Sequence, residues 1–291
     1  MQMGLFCASK GSILFTEPTH SSGCGRQIGG AQMLRAHFAA ICVTLPLWQG
    51  PAVAAIGVKV DANTNIYMSG RATRFDDKAT FEVWVTHPAN MAAVSNGLLQ
   101  GVDPLSGNRA RSRWKSDYPM AAYLASFVVT EWSRRTDTYT GFGANMPVEF
   151  WVFPESFVSW GPGMDRVVPM LTALSSAYGQ YPFAAEKYGI AQFTWNGGME
   201  HQTMSTMNSF GLTLIAHELG HQWWGDNVTC ATWNHIWLNE GFASYCEYLA
   251  IEKLPAIFSP TTASSFMQSV HTNVMSVANG SVYVPDASVY D

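Results

Sequence analysis

The sequence predicts an α+β chain, a β-rich first half followed by a mixed half built on two neighbouring helices. Three observations carry this. Residues 79–85 alternate apolar and polar side chains with period two, as a half-buried strand does. Residues 209–224 contain no proline and place Phe210, Leu214, Leu219 and Trp223 where one side of a helix can bury them. Further on, Phe242, Tyr245, Cys246, Leu249 and Ala250 fall at i, i+3, i+4, i+7 and i+8, an amphipathic helix that Pro255 ends.

The 291 residues suggest about two domains. Hydrophobic residues make up an ordinary 47% of the chain, and only 13% are charged, about half the typical share, so the composition is not that of a disordered chain. The net charge of −5, with no basic run or basic helix, excludes a nucleic-acid partner.

Taken in order, residues 1–56 read as a leader, of which 1–32 are rich in Gly and Ser and poor in pattern. From Met33 a short basic start, an apolar stretch and an A-x-A at Ala52-Val53-Ala54 resemble a secretory signal peptide over 33–55. This points to a secreted or periplasmic protein, and to a cytoplasmic one if the likeness is accidental. Pro46 interrupts the stretch, which is too short to span a membrane. Cys7, Cys24 and Cys42 lie in this leader, and Cys230 and Cys246 read as two small buried thiols.

Residues 57–146 read as an antiparallel β domain. The period is two, Asn96-Gly97 is a turn signal, and 120–132 is a further β-rich run. The domain closes near 141–143. Residues 147–291 form the second domain, with a strand at 148–153, a helix at 167–178, a turn at 179–183 and a strand at 188–195 that runs into Gly197-Gly198-Met199-Glu200-His201.

The chemistry concentrates in 214–224, where His217-Glu218-Leu219-Gly220-His221 is an H-E-x-x-H. Four helical residues turn through about 400°, so the two imidazoles share a face one turn apart, as joint ligation of one zinc requires. Glu218 sits about 100° round the helix, within reach of a metal-bound water but turned away from ligation. A catalytic zinc takes three protein ligands, and Glu240, with eighteen residues between it and His221 and at the start of the second helix, is the third candidate. Asn234, Asp226 or His235 could hold a ligand imidazole from behind.

Gly197-Gly198-Met199-Glu200, then H-E-x-x-H, then Glu240, in that order, resemble the aminopeptidase N family of zinc metallopeptidases, the gluzincins. The fifth motif position is His201 where the family has Asn, as in a bacterial G-G-M-E-H branch. Residues 221–229 and 237–243 also fit. The likeness is strong over 147–255, fair over 76–135 and absent before about 60.

It implies a partial N-terminal β domain followed by a thermolysin-like catalytic domain. It also implies one Zn2+ per chain on His217, His221 and Glu240, Glu218 as general base, and a peptide substrate with a free N-terminus. Glu200 would face the substrate ammonium, with Gly197, Gly198 and Met199 beside the substrate backbone. His201 reads as a substrate contact or, slightly better, a packed turn residue. The family's oxyanion-stabilising tyrosine is expected beyond Asp291, because 282–286 resemble the segment before it and Tyr283 and Tyr290 match poorly. The family's C-terminal helical domain is not represented, so a fragment of a longer gene is expected. Two other readings remain: a non-catalytic peptide- or zinc-binding remnant, and a zinc endopeptidase, which Glu200 argues against.

Overall fold

A computed structural model describes residues 78–194, 196–276 and 283, and the backbone of three short strands, β1 (Phe6–Ala8), β2 (Ser12–Leu14) and β3 (Lys59–Asp61). The signal-like segment 33–55, Trp195 and Tyr290 lie outside the described residues.

The described residues from Lys78 to Thr130 are mostly sheet. Strands β4 (Ala79–Pro88), β6 (Leu98–Leu105) and β7 (Arg109–Met120) form a four-stranded sheet with β3 in the order β3-β4-β7-β6. Strands β5 (Ala92–Ser95) and β8 (Phe127–Thr130) make a separate antiparallel pair. The expected alternation appears in β4, where Phe81, Val83 and Val85 are buried. Gly97 makes the turn after β5 at φ +71°, and a Cβ there would run into the Lys115 backbone. The β-rich run expected at 120–132 is broken: β7 ends at Met120, and a 3-10 turn, Ala122–Leu124, precedes β8.

The second half is organised on a five-stranded sheet of order β12-β13-β11-β10-β9. Its strands are β9 (Ser133–Tyr139), β10 (Met146–Val152), β11 (Tyr188–Gln192), β12 (Gly198–Met199) and β13 (Ser205–Met207). β10, β11 and β13 run parallel, and β9 and β12 are antiparallel edges. The expected division at 146/147 therefore falls inside β10, after its first residue, and leaves its antiparallel partner β9 on the other side of the boundary.

The described residues hold five α-helices: α1 (Phe157–Tyr178), between β10 and β11, then α2 (Leu212–Gly220), α3 (Ile236–Lys253), α4 (Pro255–Phe258) and α5 (Ala263–Ser276). α1 starts ten residues before the expected helix (167 − 157) and holds Pro162 and Pro169 within it. Each proline removes one backbone donor, and burial of Met164, Val167, Met170, Leu171 and Leu174 offsets that loss.

The strands of this sheet serve two cores. Val148, Phe150 and Val152 face α1 and α2, while Trp151 between them packs with Trp114, Phe81 and Val83 of the β half. Two polar contacts add to this junction. The buried Glu186 carboxylate accepts Asp117 N–H at 2.6 Å and the Ser116 hydroxyl at 3.0 Å. Lys187 Nζ donates to the Ser95 carbonyl at 2.7 Å.

Candidate active site

α2 and α3 set the site through their close approach. A Cβ on Gly220 would lie 2.6 Å from both Cβ and Sγ of Cys246, so glycine alone permits this crossing. The buried stripe of α3 is Ile236, Asn239, Ala243, Cys246 and Ala250. This corrects part of the expected apolar face: Phe242 and Tyr245 are exposed, and Phe242 stacks on Trp224 with ring centroids 4.6 Å apart. The rotation follows from the small residues Ala243 and Cys246 seating against Gly220. It leaves Glu240 half-exposed and turned towards α2.

Glu240 Oε2 lies 3.2 Å from His217 Nε2 and 3.6 Å from His221 Nε2. One donor atom from each of the three residues lies within 4.8 Å of the others, and Glu200, Glu218 and His221 form a second such group. The structure thus brings together His217, His221, Glu240, Glu218 and Glu200.

The remaining ring nitrogens fix the tautomers. His217 Nδ1 lies 2.9 Å from Glu247 Oε1, and His221 Nδ1 lies 3.1 Å from the Trp224 carbonyl oxygen. Both oxygens accept, so each Nδ1 is the donor and each Nε2 points to the shared centre. The expectation that Asn234, Asp226 or His235 fills this role is corrected, because Glu247 and the Trp224 carbonyl are the Nδ1 partners. A signal for Glu247 was present, since it follows Glu240 by seven residues and so returns to the same helix face two turns on. Asp226 is fully buried, within electrostatic reach of Glu200, Glu218 and Lys78.

The electrostatics suit a cation. Burial opposes a charge on either imidazole, yet the surrounding carboxylates overcome it. Glu240 and Glu247 push His217 up to about 10, and Glu200 leads in raising His221. Burial would raise Glu240, but the two imidazoles hold it well below the usual carboxylate range. Glu218 is 4% exposed, and burial, reinforced by Glu200, pushes it up to about 8. Its Oε2 has no hydrogen-bond partner among the described residues. Two imidazole nitrogens and a carboxylate oxygen, ringed by further carboxylates, are a donor set that fits a divalent zinc.

Gly197 and Gly198 lie at the open edge of the five-stranded sheet. Gly197 takes φ +92°, and a Cβ on Gly198 would run into the Glu218 carboxylate. Met199 pairs with Thr206 in β13, and Glu200, 6% exposed, follows at the end of the edge strand. His201 is fully buried with Nδ1 3.0 Å from the Thr206 hydroxyl, and burial pulls it down to about 3. Of the two readings of His201, the packed turn residue is the one the structure shows.

Residues 164–282 match the family described as Peptidase family M1 domain. Aminopeptidase N of Homo sapiens is 32% identical over 200 residues, which are 60% of this chain and 20% of that protein. The Oryctolagus cuniculus aminopeptidase N is 31% identical over 198 residues, with the same shares. Over residues 164–282 the chain is thus similar to the M1 peptidase domain. It spans about a fifth (20%) of the length of these relatives. A two-domain M1 zinc metallopeptidase bound to L-tryptophan superposes with a TM-score of 0.65 at 25% identity, over 75% of this chain and 50% of that one. An M1 zinc metallopeptidase from Deinococcus radiodurans gives 0.63 at 26% identity, over 74% and 50%. The M1 match contains every residue assembled above, from Gly197 to Glu247. No helix among the described residues is long and apolar enough to cross a membrane.

Proposed function

We propose that this chain carries the catalytic centre of a zinc-dependent aminopeptidase, which removes N-terminal residues from peptides. The observation that carries the reading is the buried Glu200 carboxylate beside Glu218 and His221, adjoining the three-donor centre of His217, His221 and Glu240. A carboxylate there offers a counter-charge to a substrate's α-ammonium, which an internal peptide bond lacks.

His217, His221 and Glu240 would hold one zinc ion, which when bound supplies Lewis-acid polarisation of the scissile carbonyl and of water. Glu218 accepts the proton of the attacking water as the new C–O bond forms, then passes it to the leaving amine as the peptide C–N bond breaks. Glu247 and the Trp224 carbonyl hold the imidazole tautomers. Gly197, Gly198 and Met199 present an edge strand along which the substrate backbone can lie. For location we propose export, resting on the signal-like segment 33–55.

The test compares cleavage of a free aminoacyl anilide with that of its N-acetylated twin. A charge-assisted contact is worth about 1.5–3 kcal/mol, or roughly 10- to 150-fold. The free amine should be preferred by that factor, and Glu200→Ala should shrink the gap by slowing the free-amine substrate. Equal cleavage of both would favour an endopeptidase. Tight peptide binding without cleavage would favour a non-catalytic remnant.

A further inference from the structure

The 3-10 turn Ala122–Leu124 reaches from the β half into the site, and all three of its residues are buried. Tyr123 sits in a small apolar cluster with Cys230 and Ile236, against which Met199 and Trp233 pack. It therefore underlies both sides of the cleft, since Met199 precedes Glu200 and Ile236 opens the helix that carries Glu240. The Tyr123 and Trp233 ring centroids are 5.3 Å apart.

The polar end of Tyr123 is tied to the third donor. Its hydroxyl accepts Asn239 Nδ2 at 3.3 Å, and Asn239 Oδ1 accepts the Cys230 N–H at 3.2 Å. Asn239 is 2% exposed and directly precedes Glu240. An amide engaged at both ends cannot rotate without leaving a buried polar atom unpaired. The Glu240 side chain, in contrast, is 48% exposed and makes its close contacts with the two imidazoles. Its aim thus depends on the backbone of the first turn of α3, which Asn239 anchors.

We propose that Tyr123 is a positioning residue: its hydroxyl, supplied by the β half, locks Asn239 and so sets Glu240 in register with His217 and His221. This rests on reading those three residues as a zinc site. Metal–ligand distances tolerate only about 0.2 Å, so a small rotation of this turn is felt at the metal.

The experiment uses the full chain. Tyr123→Phe keeps the ring and removes the hydroxyl. Zinc affinity is read by competition with a chelating dye, ligand geometry by the visible spectrum of the cobalt-substituted protein, and stability by the melting point of the metal-free form. Tyr123→Phe should weaken zinc binding by about tenfold or more and shift the cobalt bands. The metal-free melting point should move by only about 2–4 °C. Asn239→Ala should do the same, and the double variant should be no worse than either single one, because both break one link. Wild-type zinc affinity and an unchanged cobalt spectrum in Tyr123→Phe, while His217→Ala abolishes binding, would overturn the proposal and leave the zinc site standing. Full zinc binding by His217→Ala would overturn the zinc site and the proposal with it. Should Tyr123→Phe not fold, Asn239→Ala decides on the same readouts.

Discussion

Glu247 Oε1 stands 2.9 Å from Nδ1 of His217, so the helix that offers the third donor, Glu240, also orients the first. The two glutamates are seven residues apart and address opposite nitrogens of one imidazole. Glu247→Gln keeps an acceptor but removes the charge, and Glu247→Ala removes both. Zinc affinity should fall in that order, by about 10- to 100-fold for the alanine variant. Equal affinity in all three proteins, by dye competition, would discard this coupling.

Glu218→Gln separates binding from chemistry. Glu218 donates no atom to the His217, His221 and Glu240 group, so the variant should keep one equivalent of zinc. It loses the proton acceptor, and turnover should drop by about 100- to 10,000-fold. Near-normal turnover with intact zinc would reject the assigned role.

Gly198→Ala probes the same carboxylate from the other side. A Cβ there would sit 2.7 Å from Glu218 Cγ and closer still to Oε1. The far end of a side chain can swing aside, so the melting point should change little. The swing moves the base from its place, so turnover should fall while zinc stays bound. A variant as active as wild type would show that Glu218 needs no fixed position.

The helix-borne part of the centre was readable because periodicity alone fixes it. His217 and His221 share a face by spacing, and Gly220 and Cys246 bring the two helices together. Glu247 carried the same periodic signal from Glu240 but was masked by polar neighbours with equal claims, among them Asp226 and His235. Strand β7 was harder to read because Arg109, Arg111, Arg113 and Lys115 fill its outer face, and the buried face mixes Ser112 and Ser116 with the apolar Ala110, Trp114 and Met120. Helix α1 was clipped at Val167 because Gly161, Pro162 and Gly163 oppose helix locally, and tertiary burial overrides them. Tyr123 carried no local signal, since its partner Asn239 is 116 residues away.

Lys187 gives a pH-dependent prediction. It is fully buried, with Nζ 4.6 Å from the Trp114 ring centroid, and burial pulls it down from 10.5 to about 8, against the raising influence of Glu149 and Glu186. Between those two values the unfolded chain holds the proton and the folded chain does not. Lys187 therefore lowers stability in full below about pH 8, and the penalty is relieved as pH rises towards 10.5. The buried thiols Cys230 and Cys246 act in the opposite sense, because burial raises them while their unfolded counterparts ionise near 9. The total slope is therefore mixed, and the difference from Lys187→Met isolates the lysine. Wild type should gain about 1.5 kcal/mol on the variant between about pH 8 and 9.5, at roughly 1.4 kcal/mol per pKa unit. Urea unfolding of both proteins across that range measures it. A difference that stays constant with pH would mean that Lys187 keeps its ordinary pKa, and that water reaches the junction between the β half and the catalytic sheet.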